Sequence, residues 1–383
     1  GVSFFARGAE RDPIPLMAEL KAGVAGTYYP PFPVLGLASD GDQIFLTGGG
    51  GGATASKEVP NVVQAMKYDE ESGKLNTIAS LGTEKQVVIY ISYAPANGLW
   101  LASSLDSCKV LQLSEEENTL TEVCSFATET EGKEKTQTVA KYSPAGDMIA
   151  TGGTDGAVKI WKMPSPPSAP TLLKSCGQEK EILDIDWSAD GKLLASSDRS
   201  GAGHIWDVSS GEEKAKIKYP VPGQKVDLAV RGVRFIKGGE KGPILVVSAS
   251  APRGPAYIAL LSGTDGTKLK EIKLDTKTPM TAMDVNRDQT HVAVNMVDGT
   301  KRVYSLPGLK LVTKSKEVHE LPAPCCAFLG KATTVSGSGD RSLNLLSFGG
   351  GGAAGACVYM LAILITLLLV MCMVLRIGAK GAA

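Results

Sequence analysis

The chain has 383 residues, and its 40 Lys plus Arg are balanced by 40 Asp plus Glu. A zero formal charge leaves no basic footprint, so no nucleic-acid partner is expected. A hydrophobic content of 43% supports a sizeable globular core, and 44 glycines imply many tight turns.

Residues 1–17, "GVSFFARGAERDPIPLM", lack the basic start and apolar core of a secretory signal, so the body of the chain is expected in the cytosol. Residues 1–27 read as an N-terminal extension. Residues 28–46, "YYPPFPVLGLASDGDQIFL", read as strands that start a first β-unit and can also complete a last one. "TGGGGGATASKEVPN", residues 47–61, follows. Five glycines in a row are entropically costly to order. A phosphate-binding P-loop fails here: with Lys57 as the motif lysine, Ser56 stands where glycine is required and Glu58 where serine or threonine is required. A flexible linker fits poorly, because the strand pattern "VVQAMKYD" resumes at Val62. A special backbone loop that coordinates something is the third reading.

Beyond it the chain repeats. "SLDSCKVLQL", "GTDGAVKIWKM", "DRSGAGHIWDV", "MVDGTKRVYSL" and "SGDRSLNLLSF" each place a small or acidic turn before an alternating strand. Leu111, Trp161, Trp206, Tyr304 and Leu345 read as equivalent. They recur roughly every 40 to 50 residues, the period of propeller blades, if a divergent unit lies between Trp206 and Tyr304. "AYIALL", from Ala256, supplies that unit and "VVQAMKYD" supplies one before Leu111. Segments such as "AKYSPAGDMIATGG" and "IDWSADGKLLASSD" add strand–turn–strand hairpins. The expected fold is therefore all-β: a seven-bladed WD-repeat β-propeller over residues 28–348, whose radial packing covers sheet faces and protects edges. The charged stretch 114–137 reads as a solvated blade connection, and "MPSPPSAP", from Met163, as a Pro-rich connector.

Seven cysteines, with no C-x-x-C pair, read as reduced thiols, Cys325 and Cys326 being small buried hydrophobes. His204, His291 and His319 have no zinc-ligand spacing. "GGGGAAGA", residues 349–356, reads as a Gly/Ala tether. Residues 357–375, "CVYMLAILITLLLVMCMVL", form an uncharged run long enough for one transmembrane helix. Residues 376–383 would be a short lumenal tail. Arg376 and Lys380 in that tail run against the positive-inside bias, but two charges are a weak bias.

The glycine run falls inside the first blade, where residues 48–61 interrupt a hairpin that ordinarily needs two to five. The loop holds no Asp, and Glu58 alone suits calcium or magnesium poorly. Backbone carbonyls of Gly48, Gly49, Gly50, Gly51, Gly52 and Ala53, with the Asn61 side chain, suit a weakly hydrated monovalent cation such as potassium. Asn61 reads as a surface residue whose truncation leaves folding little changed.

This glycine loop in a first propeller blade, with a C-terminal anchor, resembles the Sec-twelve / prolactin regulatory element-binding protein family. The resemblance implies an endoplasmic reticulum protein, single-pass with its propeller in the cytosol, that releases GDP from a Sar-type small GTPase and so starts COPII coat assembly. It implies a non-enzymatic exchange factor whose loop holds K+. It assigns the exchange role to Asn61 and, in the middle of the loop, to Lys57. Glu58 departs from the family, which has glycine near that position. The alternative is a membrane-tethered WD-repeat scaffold without exchange activity. A hydrolase is disfavoured, since no G-x-S-x-G or H-E-x-x-H occurs.

Overall fold

The computed structural model describes residues 21–22 and 26–348, apart from positions 71, 106, 129–135, 178–179, 221–226, 240–241 and 253. The anchor run 357–375, its tether, the tail 376–383 and most of the N-terminal extension lie outside the described residues. Among those described, no helix is long and apolar enough to cross a membrane.

Among the described residues, twenty-nine strands form seven antiparallel sheets. Six are four consecutive strands each: blades 1 to 6, at 34–82, 90–127, 137–177, 182–217, 229–275 and 280–314. Blade 7 is assembled from both ends of the propeller. Cys325–Leu329, Thr333–Gly337 and Leu343–Ser347 are joined by Thr27–Tyr29 and then Lys21–Ala22. Thr27 pairs with Asn344, whose Nδ2 donates to Thr27 Oγ1 at 3.1 Å. The ring is thus closed by hydrogen bonds between distant parts of the chain.

Strand alternation explains why a ring forms. In the second strand of blade 1, Phe45 packs toward blade 7 while Ile44 and Leu46 pack toward blade 2. In the third, Val62 and Met66 face blade 7, and Val63 and Ala65 face blade 2. Both faces of every sheet are apolar, so each must be covered by a neighbouring sheet. Seven apolar clusters result, one at each seam between blades. Burial at the seams also raises the thiol of Cys325 to about 12, so Cys325 stays a neutral core side chain.

The segments read as equivalent are the third strands of their blades. Trp161 and Trp206 donate from Nε1 to Thr151 Oγ1 at 2.9 Å and Ser196 Oγ at 2.8 Å, clamping third strand to second. One position is corrected. Trp161 pairs with Ile149 and Trp206 with Leu194, the second residues of their second strands. In blade 7 the corresponding Thr334 pairs with Leu346, so Leu346 and not Leu345 is the equivalent. A second correction concerns 114–137: Thr119–Ala127 is the outer strand of blade 2, with Leu120 and Phe126 buried. An outer strand covers one face only, so its charged residues hid the alternation.

The seven first strands line an axial cavity of about 560 Å³. Lys141 Nζ pairs with Asp186 at 3.0 Å, and Arg234 bridges Asp184 and Asp284. Asp186 also accepts from Phe235 N at 2.7 Å, tying blade 4 to blade 5.

Meander topology sorts the loops onto two faces. Turns between second and third strands share one face with the connections between blades. Turns between first and second strands share the other with those between third and fourth. The third strand of blade 7 therefore delivers Phe348 to the second face. There Phe348 N donates to Ala332 O at 2.7 Å, and its ring packs on Phe328 and His291.

Candidate functional site

Blade 1 departs from the others between its second strand, Ile44–Gly49, and its third, Val62–Asp69. Residues 50–61 fill a position that residues 154–156 fill in blade 3 and 199–202 in blade 4. The loop starts at Gly50 rather than Gly48. Gly48 and Gly49 belong to the ladder, opposite Val63 and Val62. A Cβ on Gly49 would lie 1.8 Å from Pro33 O, so only glycine lets this strand pass the incoming connection. Gly50 has φ +142°, and a Cβ there would lie 2.2 Å from Asn61 Oδ1. It lets the chain leave the sheet beside the asparagine.

Asn61 is 4% exposed. Its Oδ1 accepts from Gly52 N at 2.8 Å, and its Nδ2 donates to Gly52 O at 2.9 Å and to Glu84 O at 3.0 Å. Its own carbonyl accepts from Thr83 N at 3.0 Å. One buried amide thus fastens the start of the loop to its end, and both to the connection between blades 1 and 2. This corrects the surface reading of Asn61: its truncation would remove three hydrogen bonds, two to Gly52 and one to Glu84.

Beyond Gly51 the chain makes a 3-10 turn, Gly52–Thr54. Gly51 O accepts from Thr54 N and Thr54 Oγ1, and Gly52 O accepts from Ala55 N. A second turn follows. Ser56 N donates to Val59 O at 3.1 Å, and Ser56 Oγ donates to Glu58 Oε2 at 2.7 Å. That hydroxyl holds the Glu58 carboxyl below the usual carboxylate range. Residues 53–58, Lys57 among them, are exposed.

The fold thus brings Gly50, Gly51, Gly52 and Asn61 together, leaves Gly48 and Gly49 in the sheet, and presents Ala53 and Lys57 at the tip. In kind, the oxygens of Gly51, Gly52 and Asn61 are ones a monovalent cation could take, being neutral and without a carboxylate among them. All three already accept hydrogen bonds from the loop, so an ion would compete with those donors. Among the described residues no group of three or more His, Cys, Asp or Glu could hold a metal. Sequence reasoning missed Thr83 and Glu84. Glu84 adopts φ +57°, unusual for a non-glycine residue, and no Gly or Asn in "TEKQ" marks the turn.

Residues 140–225 match the family model described as the anaphase-promoting complex subunit 4 WD40 domain. SEC12-like protein 1 of Arabidopsis thaliana is 28% identical over 178 residues, 46% of this chain and 42% of that protein. SEC12-like protein 2 of the same plant is 23% identical over 297 residues, 76% of this chain and 70% of the relative. The chain resembles the SEC12-like proteins. It spans less than half the length of the first of these SEC12-like relatives and about two thirds of the second. Among solved structures, a chain of "COPII on membranes, outer coat vertex" superposes with TM-score 0.68 at 15% identity, covering 82% of this chain and 84% of that one. At that identity the likeness to that chain of the coat structure is one of fold alone.

Proposed function

We propose that the chain is a guanine nucleotide exchange factor for a Sar-type small GTPase, and that loop 50–61 is the element that meets the GTPase. In this reading it is a regulator without bond chemistry, held at the endoplasmic reticulum membrane by residues 357–375 with its propeller in the cytosol. The observation that carries the reading is the loop itself. It is inserted in one blade only, contributes nothing to the blade seams, and is nevertheless fixed by a buried asparagine. The SEC12-like relatives support the choice of GTPase.

Exchange follows from linkage. A factor that binds the nucleotide-free GTPase more tightly than the loaded form lowers nucleotide affinity by the same free energy. Switch loops and magnesium hold the nucleotide, so a wedge that displaces a switch loop suffices. Residues 53–58 form that wedge, with Lys57 at its tip. Asn61 acts behind it, keeping the wedge in one conformation so that little ordering remains at binding. Potassium belongs to the same proposal: held by the oxygens of Gly51, Gly52 and Asn61, it would add rigidity to the loop.

The test is release of labelled GDP from a Sar-type GTPase on addition of the full chain in liposomes. Acceleration lost when residues 53–58 are replaced by Gly-Ser supports the reading. Stable binding of the GTPase without faster release would instead select the scaffold reading.

A further inference from the structure

The loop does not end at Asn61. Asn61 Nδ2 donates to Glu84 O, and Thr83 N donates back to Asn61 O. Thr83 and Gln86 then close a turn on each other: Gln86 N donates to Thr83 O at 3.0 Å and Thr83 Oγ1 to Gln86 O at 2.6 Å. The Gln86 side chain reaches into blade 2. Its Nε2 donates to Ser107 Oγ at 3.3 Å, and its Oε1 accepts from Ser104 Oγ at 3.2 Å. Ser104 and Ser107 flank the turn between the second and third strands of blade 2, and Ser104 N donates to Ser107 O at 3.0 Å. Between them Leu105 is 44% exposed, while its carbonyl accepts from Gln137 N at 2.6 Å. The hydrogen bonds therefore run without a break from Gly52, through Asn61, Thr83 and Gln86, to the turn that carries Leu105.

This continuity has a physical consequence. A twelve-residue loop anchored only at its base could pivot, because among the described residues its tip makes hydrogen bonds only within the loop. The connection at 83–86 braces that base against the next blade. It also fixes the distance between the tip and an exposed leucine on the same face of the propeller. Glu84 contributes through its carbonyl, which its left-handed backbone turns toward Asn61.

We infer that Gln86 is a positioning residue for the exchange reaction, holding loop 50–61 and Leu105 as one two-pronged surface for the GTPase. The inference rests on the function proposed above. Gln86 touches no partner itself. Without it the loop becomes mobile and must be ordered when the GTPase binds, so the loss appears in the half-saturating GTPase concentration rather than in the maximal rate.

Amide hydrogen exchange and exchange kinetics on the full chain test this together. Gln86→Ala should speed exchange at the Gly52, Thr54 and Ala55 amides about tenfold while leaving Val62–Asp69 protected. It should raise the half-saturating GTPase concentration about tenfold with the maximal rate preserved. Gln86→Glu should restore both, since a carboxylate can accept from the Ser104 and Ser107 hydroxyls. Leu105→Ala should leave the loop amides protected yet raise the same concentration. Unchanged loop protection in Gln86→Ala overturns the brace, as does a fall in maximal rate alone or failure of Gln86→Glu to rescue. A wild-type chain that releases no nucleotide would overturn the proposed function, while the amide measurement would still decide the brace.

Discussion

Blades 1 and 4 share strand order, seam packing and register, yet they close the turn between their second and third strands by opposite means. Blade 4 closes it locally. Asp198 Oδ1 accepts from Ser200 N at 2.8 Å and Ala202 N at 3.2 Å, and Trp206 clamps Ser196 from the third strand. In blade 1, Gly49 stands where Asp198 stands, and Met66 where Trp206 stands. Thr47, the counterpart of Ser196, is fully buried with no hydrogen-bond partner for its hydroxyl among the described residues. The loop is held instead by Asn61, through bonds to Gly52 and Glu84. Blade 1 has therefore given up that fastening and gained an extended segment tied at its base by the Asn61 amide and, through it, to the connection between blades 1 and 2. A turn fastened from within is stiff but short, whereas one fastened from behind can project.

The strongest way to break this contrast is Asn61→Ala. Nucleotide release should slow about 100-fold, which corresponds to roughly 3 kcal/mol of transition-state stabilisation. Global stability should fall by about 1–3 kcal/mol, because three part-buried hydrogen bonds from one buried side chain are lost together. Wild-type release kinetics alongside lower stability would reduce Asn61 to a structural cap.

A pH lever separates the blade seams from the loop. Lys301 is 1% exposed between blades 6 and 7, donating to Asn344 O at 3.0 Å, and burial depresses its ammonium to about 7. His319 nearby is depressed to about 4 by burial and by Lys301. In both cases the unfolded chain binds a proton that the folded chain refuses. For Lys301 the resulting stability is full above its ordinary value of 10.5 and is lost as pH falls toward 7. For His319 it is full above 6.5 and is lost as pH falls toward 4. Stability should thus rise from pH 7 to 8.5 by up to about 1.4 kcal/mol per unit, and Lys301→Met should flatten that slope in urea unfolding. Above about pH 9 the buried Cys108 and Cys325 thiols, both raised to about 12, oppose the rise. Loop amide protection, corrected for intrinsic exchange, should not follow the slope. A loop that did follow it would be coupled to the seam.

A paired substitution sharpens the comparison at the strands. Trp206→Phe removes the clamp on Ser196 and should cost about 1–1.5 kcal/mol without altering nucleotide release. Thr47→Val removes a hydroxyl that has lost its partner and should be neutral or stabilising by about 0.5 kcal/mol. A large loss from Thr47→Val would mean that the hydroxyl has a partner in solution.

The smallest expected effect concerns the ion. Replacing potassium by lithium at constant ionic strength should lower loop amide protection and slow release about threefold. That is under 1 kcal/mol, because the loop's own donors already occupy the same oxygens. Identical behaviour in both salts would remove the cation from the proposal.

Much of this was legible in the sequence, for reasons that differ by region. Third strands announce themselves because an acidic or small turn precedes an alternating strand, as at Trp161 and Trp206. In blade 7 the same pattern runs through "LNLLSF", where consecutive leucines carry no phase, and the equivalence slipped by one residue. The outer strand Thr119–Ala127 was hidden by its charged outward side chains. The glycine run was visible as a feature but was read as a single unit. Its members serve separate ends: Gly48 and Gly49 yield to close neighbours within the sheet, and Gly50 frees the chain from it. The bond from Asn61 to Glu84 spans 23 residues and uses a backbone carbonyl, for which no side-chain pattern exists.

The position of Phe348 sets a geometry of access. Loop 50–61 lies on one face of the propeller, and Phe348 is pinned to the other beside Ala332. Eight residues, 349–356, separate it from the apolar run, and eight residues span at most roughly 30 Å when fully extended. Under the proposed anchoring, that reach would hold the face carrying Phe348, not the face carrying the loop, next to the bilayer. Loop 50–61 would then point away from the membrane. A partner of that loop, the proposed GTPase included, would then be met on the side of the propeller away from the bilayer.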